Sequence, residues 1–243
     1  MDSRAFYKLS YGLYIVSTTH KGKDCGCVVN TLEQVTSTPA KLAVAINKEN
    51  YTCKTLLKSG VFAGVALTES ADMKLIGEFG FKSSETVDKF TNFQKAVDLN
   101  SVPYLTQNVA ARFSAKVIST QDLGSHIMFI GEVVDCEVIS DEDVMTYAYY
   151  HKVKKGTTPP KASSYNKTPD TVVTPRPEAP TPEIPTPEAT KIEVPTSEAQ
   201  TLEETSPIYR CTVCNYRLSS DNIPDNFECP ICGQGKDMLE KIQ

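Results

Sequence analysis

Long hydrophobic runs are absent from this sequence. The longest apolar stretches, such as IMFIGEVV and LAVAI, are interrupted within a few residues, whereas a membrane-spanning helix needs about 20 consecutive apolar residues. The N-terminal MDSRAFYKLS also lacks the apolar core of a secretory signal. We therefore predict a protein without membrane spans that resides in the cytoplasm. Disulfides are rare in that reducing compartment, so the eight cysteines do not indicate a disulfide framework.

Signatures of nucleotide and nucleic-acid binding are missing as well. No strand-like run is followed by Gly-x-Gly-x-x-Gly, and there is no Gly-Lys-Ser/Thr loop, which excludes a dinucleotide fold and a P-loop. The chain has a net charge of −5 and no basic stripe. Residues 167–206 account for all of that charge, with eight acidic residues against three basic ones. The remainder is near neutral, so we expect no nucleic-acid partner.

Proline, threonine and glutamate dominate the segment between Lys167 and Ser206. Its glutamates recur at every fifth residue from Glu178 to Glu203, a period that matches neither an α-helix nor polyproline II. The acidic side chains therefore build no face, and no core can form. We predict a disordered linker over 166–206, with one domain before it at 1–165 and a second domain after it at 207–243.

Six apolar runs bounded by turn residues predict strands in the first domain. They are GLYIVSTT, GCVVNTL, KLAVAIN, VFAGVAL, ARFSAKVIST and HIMFIGEVVDCEVI. Two stretches favour helices: YTCKTLLKSG ends at a glycine, and ADMKLIGEFG places Met73, Ile76 and Phe79 on one face. Strands at this density, joined by hairpin-like gaps such as THKGKD, predict a mainly β fold, an antiparallel barrel with a few helices.

Two Cys-x-x-Cys pairs lie near the C-terminus, with fourteen residues between them: Cys211, Cys214, Cys229 and Cys232. Two such pairs form a tetrahedral four-sulfur site, which suits zinc or a single iron, and the spacing does not choose between these metals. The aromatic residues Tyr209, Tyr216 and Phe227 lie close enough in sequence to shield the site from water. The other four cysteines have no metal-ligand spacing and are left out of the site: Cys25, Cys27, Cys53 and Cys136. Cys25 and Cys27 in DCGC are expected to be small strand residues.

The run SYGLYIVSTTHKGKDCGCVVNTLEQVTSTPAKLAVAINKENYTCKTLLKSGVFAGVAL resembles the flavin reductase-like family, whose members bind FMN in a split β-barrel. The resemblance covers roughly Ser3 to Tyr165 and extends through FGFKSSETVDKF and DLGSHIMFIGEV. With the linker and the YRCTVCNY and FECPICG motifs, the whole chain resembles the high-molecular-weight rubredoxins, in which a flavin domain is tethered to a small C-terminal rubredoxin-like metal knuckle module. This resemblance implies a homodimeric electron-transport protein of an anaerobe.

The resemblance also implies two segments of FMN contacts. In NTLEQVT, the residues near the isoalloxazine ring are Asn30, Thr31, Gln34, Val35 and Thr36. In NKENYT, the residues near the FMN phosphate are Asn47, Lys48, Asn50, Tyr51 and Thr52. Taken without the resemblance, the same side chains also fit ordinary strand polarity and a helix N-cap.

His126 in GSHIMFIGEV resembles the histidine of the Gly-Asp-His motif of flavin reductases, where it is associated with nicotinamide binding. Ser125 stands here in place of the aspartate, and a hydroxyl does not supply the charge of a carboxylate. Both a catalytic role and a structural, hydrogen-bonded histidine therefore remain open for His126.

The flavin domain favours iron over zinc in the four-cysteine site. A flavin accepts two electrons as a hydride and can release them singly, whereas an iron tetrathiolate carries one electron at a time. We therefore predict an NAD(P)H-dependent flavin reductase and rubredoxin-type oxidoreductase, in which electrons pass from NAD(P)H through FMN to an iron held by four cysteines. The resemblance implies a flavodiiron protein that reduces oxygen or nitric oxide as the terminal partner.

Two other functions remain open from the sequence. In the first, the chain is a flavin and iron carrier that another protein, rather than nicotinamide, reduces. In the second, it is a zinc-ribbon interaction module on a flavin-binding scaffold. The colour of the purified protein separates the second alternative from the rest, because an iron tetrathiolate is red and bleaches with dithionite whereas zinc is colourless.

Overall fold

The computed structural model describes residues 2–159, 161–165, 207–213, 216–231 and 233–242. The predicted mainly β fold with a few helices is confirmed. The predicted linker at 166–206 lies outside the described residues, as do Cys214 and Cys232. Among the helices that the structure does describe, none combines the length and the apolar character needed to cross a membrane.

The larger part of the chain is built around one antiparallel sheet of seven strands, in the order β2-β1-β5-β8-β9-β4-β3. The strands up to residue 138 are β1 (Tyr14–His20), β2 (Lys23–Val29), β3 (Glu33–Ser37), β4 (Ala40–Asn47), β5 (Val61–Leu67), β6 (Lys95–Val97), β7 (Pro103–Leu105), β8 (Val109–Asp122) and β9 (His126–Val138). Strands β6 and β7 form a separate two-stranded ribbon. Strand β2 also contacts β4, which is not its hydrogen-bonded neighbour, so the sheet curves into a barrel whose edge strands are β2 and β3.

Successive residues of β1 enter two different hydrophobic cores. Ile15 packs with Val65 in a core on the outer face of the sheet, whereas Val16 packs with Phe62 and Phe129 inside the barrel. Because side chains alternate across a strand, a strand covered on both faces has a continuous apolar sequence. Burying each such side chain stabilises the fold by roughly 1.5–3 kcal/mol.

All six predicted strands are present, as β1, β2, β4, β5, β8 and β9. The THKGKD hairpin is confirmed: Lys21 and Gly22 have φ angles of 51° and 75°, as a tight two-residue hairpin turn requires. Strands β3, β6 and β7 were not predicted. All five residues of β3 are exposed, so its sequence lacks the alternation that indicates a half-buried strand.

Both predicted helices are confirmed, as α1 (Tyr51–Ser59) and α2 (Met73–Phe81). Asn50 caps α1 by accepting a hydrogen bond from the Thr52 N–H, and the helix ends at Gly60 with a left-handed φ of 68°. Helix α2 buries Ile76 and Phe79 as expected. A third helix, α3 (Tyr147–Lys152), was not predicted because its six residues are too few for a helical period to appear.

The C-terminal residues form a small antiparallel sheet in the order β11-β10-β12, with β10 (Ile208–Cys211), β11 (Arg217–Ser219) and β12 (Leu239–Lys241). Arg210 of β10 and Glu240 of β12 form an ion pair across this sheet. The sheet supports a cluster in which Cys211 and Cys229 are both buried.

Candidate functional site

A partly open cavity lies at the C-terminal ends of β2 and β4. The start of β9, the end of α2, helix α3, Thr157, Pro159 and residues 161–163 complete its walls. The walls are largely apolar and aromatic, with a few amide and imidazole groups.

Four of the predicted cofactor and catalytic residues meet at this cavity: Asn30, Asn47, Asn50 and His126. Asn47 and His126 are direct partners across the β4–β9 ladder. The Asn47 side chain donates to the Lys161 carbonyl oxygen at 3.2 Å. Antiparallel pairing therefore brings two segments that are far apart in the chain to the same rim.

Asn30 ties the last described residues of the larger domain to the barrel. Its Nδ2 donates to the Ser164 hydroxyl at 3.0 Å, and the Ser163 hydroxyl donates to its Oδ1 at 3.0 Å. Asn30 is also buried. These two bonds hold residues 161–165 beside the cavity, so the C-terminal end of the predicted first domain shapes it.

The other residues predicted near the isoalloxazine ring lie outside the cavity walls. Gln34, Val35 and Thr36 are on the exposed edge strand β3. The Thr36 hydroxyl donates to the Pro39 carbonyl oxygen at 2.6 Å, and the Thr31 hydroxyl donates to the Ala45 carbonyl oxygen at 3.0 Å. The Thr36 bond thus closes the turn between β3 and β4, and the Thr31 bond attaches the residues that precede β3 to β4.

The remaining phosphate candidates lie at the start of α1. The Lys48 ammonium is 2.6 Å from the Asp122 carboxylate, and this hydrogen bond, with a second from the Gly124 N–H, lowers the pKa of Asp122. The Tyr51 ring lies under the Lys23 ammonium at 4.6 Å, while Thr52 is fully buried. Lys48 must therefore leave its ion pair with Asp122 in order to bind the FMN phosphate.

We expect Lys48→Ala to weaken FMN binding by roughly ten- to a hundredfold, the value of one charge-assisted hydrogen bond to phosphate. Asp122→Asn is the matched control, because it releases the same ammonium group from its ion pair and should not weaken binding. Quenching of FMN fluorescence on titration with apoprotein measures both affinities. An unchanged affinity in Lys48→Ala removes this residue from the phosphate site.

The His126 ring is oriented by the serine that precedes it. Its Nδ1 lies 2.8 Å from the Ser125 hydroxyl, so this neutral group occupies the place that the family motif gives to a carboxylate. His126 is partly exposed and lines the cavity. The other ring nitrogen is not engaged by that bond, which leaves the ring suited to positioning a polar ligand group.

An aromatic wall in α3 was missed by sequence reasoning. Tyr147 and Tyr150 line the cavity, and their rings stack with centroids 5.8 Å apart. The Tyr150 hydroxyl donates to the Thr157 carbonyl oxygen at 3.0 Å, and the Tyr147 hydroxyl is 2.6 Å from that of Thr158. The sequence feature that could have indicated this wall is the group of three tyrosines in TYAYYHK. Flat apolar rings with a polar edge fit a ligand of the same character.

The buried cysteines outside the predicted metal site show no sign of reactivity: Cys25 and Cys27 lie in strand β2, as predicted, and Cys53 lies in helix α1. Cys25, Cys27 and Cys53 are buried, and burial raises the pKa of each thiol, to about 11 for Cys27 and Cys53. Burial also lowers the pKa of the neighbouring Lys89 to about 8. Its ammonium donates to the carbonyl oxygens of Gly26 and Phe79, so it joins β2 to the end of α2.

Cys211 and Cys229 come together in one buried cluster, 0% and 2% exposed. Their chain segments fold back in tight turns: the Cys211 N–H donates to the Tyr216 carbonyl oxygen, and the Gly233 N–H donates to that of Cys229, both at 2.8 Å. Gly233 has a φ of 71°, which favours glycine at that position. Tyr216 and Phe227 pack against the cluster.

This arrangement fits a tetrahedral four-sulfur metal site. Two of the four predicted ligands are adjacent and shielded from water, and Cys214 and Cys232 lie outside the described residues. Among the residues that are described, no group of three or more histidine, cysteine or acidic side chains is arranged to hold a metal. The cavity likewise fits a flavin, since aromatic walls and amide groups suit the flat ring and its polar edge.

Two family models match the chain. A flavin reductase like domain matches residues 6–158, and a rubrerythrin, rubredoxin-like domain matches residues 209–240. A ferric-chelate reductase (NAD(P)H) from Archaeoglobus fulgidus is 45% identical over 165 residues, which are 68% of this chain and 98% of that protein. A high molecular weight rubredoxin from Moorella thermoacetica is 35% identical over the full length of both chains.

The fold of the larger domain also occurs among solved structures. An FMN-binding protein from Thermus thermophilus superposes with a TM-score of 0.51 at 19% identity, covering 55% of this chain and 73% of that one. The predicted flavin reductase-like barrel and rubredoxin-like module are thereby confirmed. The chain belongs to the flavin reductase-like family, and its C-terminal rubredoxin-like domain makes it an electron-transfer oxidoreductase of flavin and iron.

Proposed function

We propose that this chain is an NAD(P)H-dependent flavin reductase and rubredoxin-type oxidoreductase. The cavity would hold FMN, which would accept a hydride from NAD(P)H, and Cys211, Cys214, Cys229 and Cys232 would hold one iron, which would pass electrons singly to a separate acceptor protein. The observation that carries this proposal is one chain with both an aromatic-walled cavity and a buried pair of cysteines, Cys211 and Cys229, one from each Cys-x-x-Cys motif. The relative named ferric-chelate reductase (NAD(P)H) supports nicotinamide as the electron donor.

The chain's own residues have three tasks in this function. Asn30, through its bonds to Ser163 and Ser164, holds the cavity wall in place and keeps water out. Asn50 caps α1 and so orders the helix N-terminus, a position that favours a phosphate group. His126, oriented by Ser125, positions the nicotinamide ring beside the flavin.

The four-cysteine module needs a protein partner, because an iron tetrathiolate carries single electrons and has no open coordination position for a substrate. We propose a flavodiiron protein as this partner, which reduces oxygen or nitric oxide in an anaerobe. We also propose a homodimer, which the family resemblance implies.

Anaerobic mixing of NADH or NADPH with the flavin-loaded protein tests the proposal. Flavin absorption should bleach first, followed by the visible absorption of the ferric tetrathiolate. We expect His126→Ala to slow flavin bleaching by roughly a hundredfold, the cost of a misplaced reactant, while FMN content is retained. His20→Ala is the matched control, because that histidine ends β1 and lies outside the cavity walls.

Two results contradict these assignments. If neither nucleotide bleaches the flavin of the unchanged protein while a reduced protein donor does, the chain is a carrier and not a nicotinamide-dependent reductase. If His126→Ala loses FMN or unfolds, the histidine is structural.

A further inference from the structure

The C-terminal module contacts α2 of the larger domain at a glycine. Gly77 is buried, and a Cβ atom at this position would overlap with the carbonyl oxygen of Ile231. Glycine in a helix interior is less favourable than alanine, so its presence there indicates a close approach of another backbone. Ile231 lies between Cys229 and Cys232, so the backbone that approaches α2 belongs to the second metal-binding knuckle.

Phe81, one turn further along α2, touches both functional sites. It is one of the residues that line the cavity, and it packs against the cluster that contains Cys211 and Cys229. A single aromatic side chain therefore borders the predicted flavin cavity on one side and the predicted metal site on the other.

Lys82 adds a positive charge at the same place. Its Cε is 3.8 Å from the position that a Cβ of Gly233 would take, and its ammonium is 2.8 Å from the Glu78 carboxylate. Four thiolates around a ferrous or ferric iron leave a net negative charge, which a nearby ammonium stabilises. The contact thus combines a fitted backbone and an aromatic side chain with Lys82, whose ammonium is paired with Glu78.

We propose that Gly77, Phe81 and Lys82 form a docking surface, the α2 platform, on which the second cysteine knuckle of the same chain sits during electron transfer. This inference rests on the proposed function and identifies the contact between the two domains across which the electrons pass. Each reduced FMN gives two electrons in two transfers, each of which converts one ferric centre to ferrous. The acceptor protein reoxidises the iron between the two transfers, and the flavin protons pass to solvent.

Gly77→Ala tests the α2 platform, because the new methyl group meets backbone atoms that cannot move aside while alanine suits the helix itself. Overpacking of this kind should reduce the docked population by roughly 5- to 100-fold. Gly80→Ala is the matched control in the same helix for the tumbling measurement, since its Cβ would meet only the Val28 side chain, at 3.7 Å. Because Gly80 also lines the cavity, this control is not applied to flavin reduction.

The first readout is independent of activity. In zinc-loaded full-length protein, ¹⁵N relaxation of residues 207–242 should report tumbling at the rate of the whole molecule in the unchanged protein and in Gly80→Ala. In Gly77→Ala the module should tumble faster. Independent tumbling in the unchanged protein, or equal tumbling in Gly77→Ala, overturns the proposal.

The second readout separates the interface from the electron route. In single-turnover mixing of the iron-loaded protein, Gly77→Ala should bleach its flavin with NAD(P)H at the original rate but reduce its iron roughly 5- to 100-fold more slowly. Equal rates of iron reduction overturn the α2 platform and leave the proposed function standing. If NAD(P)H does not reduce the flavin of the unchanged protein, the proposed function is wrong. The tumbling experiment still tests the α2 platform in that case, because it does not depend on activity.

Discussion

Replacing Cys229 by alanine should abolish iron binding and leave the flavin spectrum intact. Cys229 is 2% exposed and shares a cluster with Cys211, so its loss removes one of four thiolates and opens the shielded site. Metal binding and folding are coupled in such small modules, where a structural metal contributes about 10–16 kcal/mol in zinc-finger peptides at neutral pH. We therefore expect the residues around β10–β12 to lose their fold together with the metal, while the larger domain keeps its own two cores.

Metal analysis and visible absorption measure this outcome. Cys136→Ala is the matched control, because that cysteine is exposed on β9 and lies far in sequence from both knuckles. The control should keep one iron per chain and the full thiolate-to-iron absorption. The assignment fails if the unchanged protein holds stoichiometric zinc and no iron, or if Cys229→Ala retains the charge-transfer bands.

A chain that ends at Tyr165 should keep nicotinamide-dependent flavin reduction and lose electron delivery to the terminal reductase. The end point keeps Ser163 and Ser164, whose bonds to Asn30 hold the cavity wall. This end point also keeps all of residues 6–158, which the flavin reductase like domain model matches. NAD(P)H oxidation with an artificial acceptor that reacts with flavin should therefore continue at the full rate.

Delivery should recover only partly when residues 207–243 are added as a separate chain. A flexible tether gives an effective concentration of about 1 mM, so about 10 μM of free module should restore roughly a hundredth of the rate. A predicted linker of about forty residues would span roughly 120 Å at about 3.1 Å per residue, enough to reach the cavity and an external acceptor in turn. A truncated chain that supports the terminal reductase at the full-length rate would remove the iron module from the electron path.

Local patterns were sufficient for most of the larger domain. Ile15 and Val16 of β1 are both buried, and the continuous apolar run that contains them predicted a strand. Asn50 and Gly60 mark the two ends of α1 as their capping chemistry requires. Edge strand β3 was missed because an exposed strand has no hydrophobic alternation to detect. The linker boundaries and the roles of individual site residues stay predictions.

The sequence by itself determined the family, the mainly β fold and the four candidate cysteine ligands, because these depend on motifs and periods within a few residues. Only the tertiary structure decided which candidates share a cavity. Asn30 and Ser164 are 134 residues apart in the chain, and Phe81 meets the cysteine cluster of the other domain. Contacts of this kind depend on how the sheet curves and where α2 and α3 pack, and long-range packing leaves no period in the local sequence.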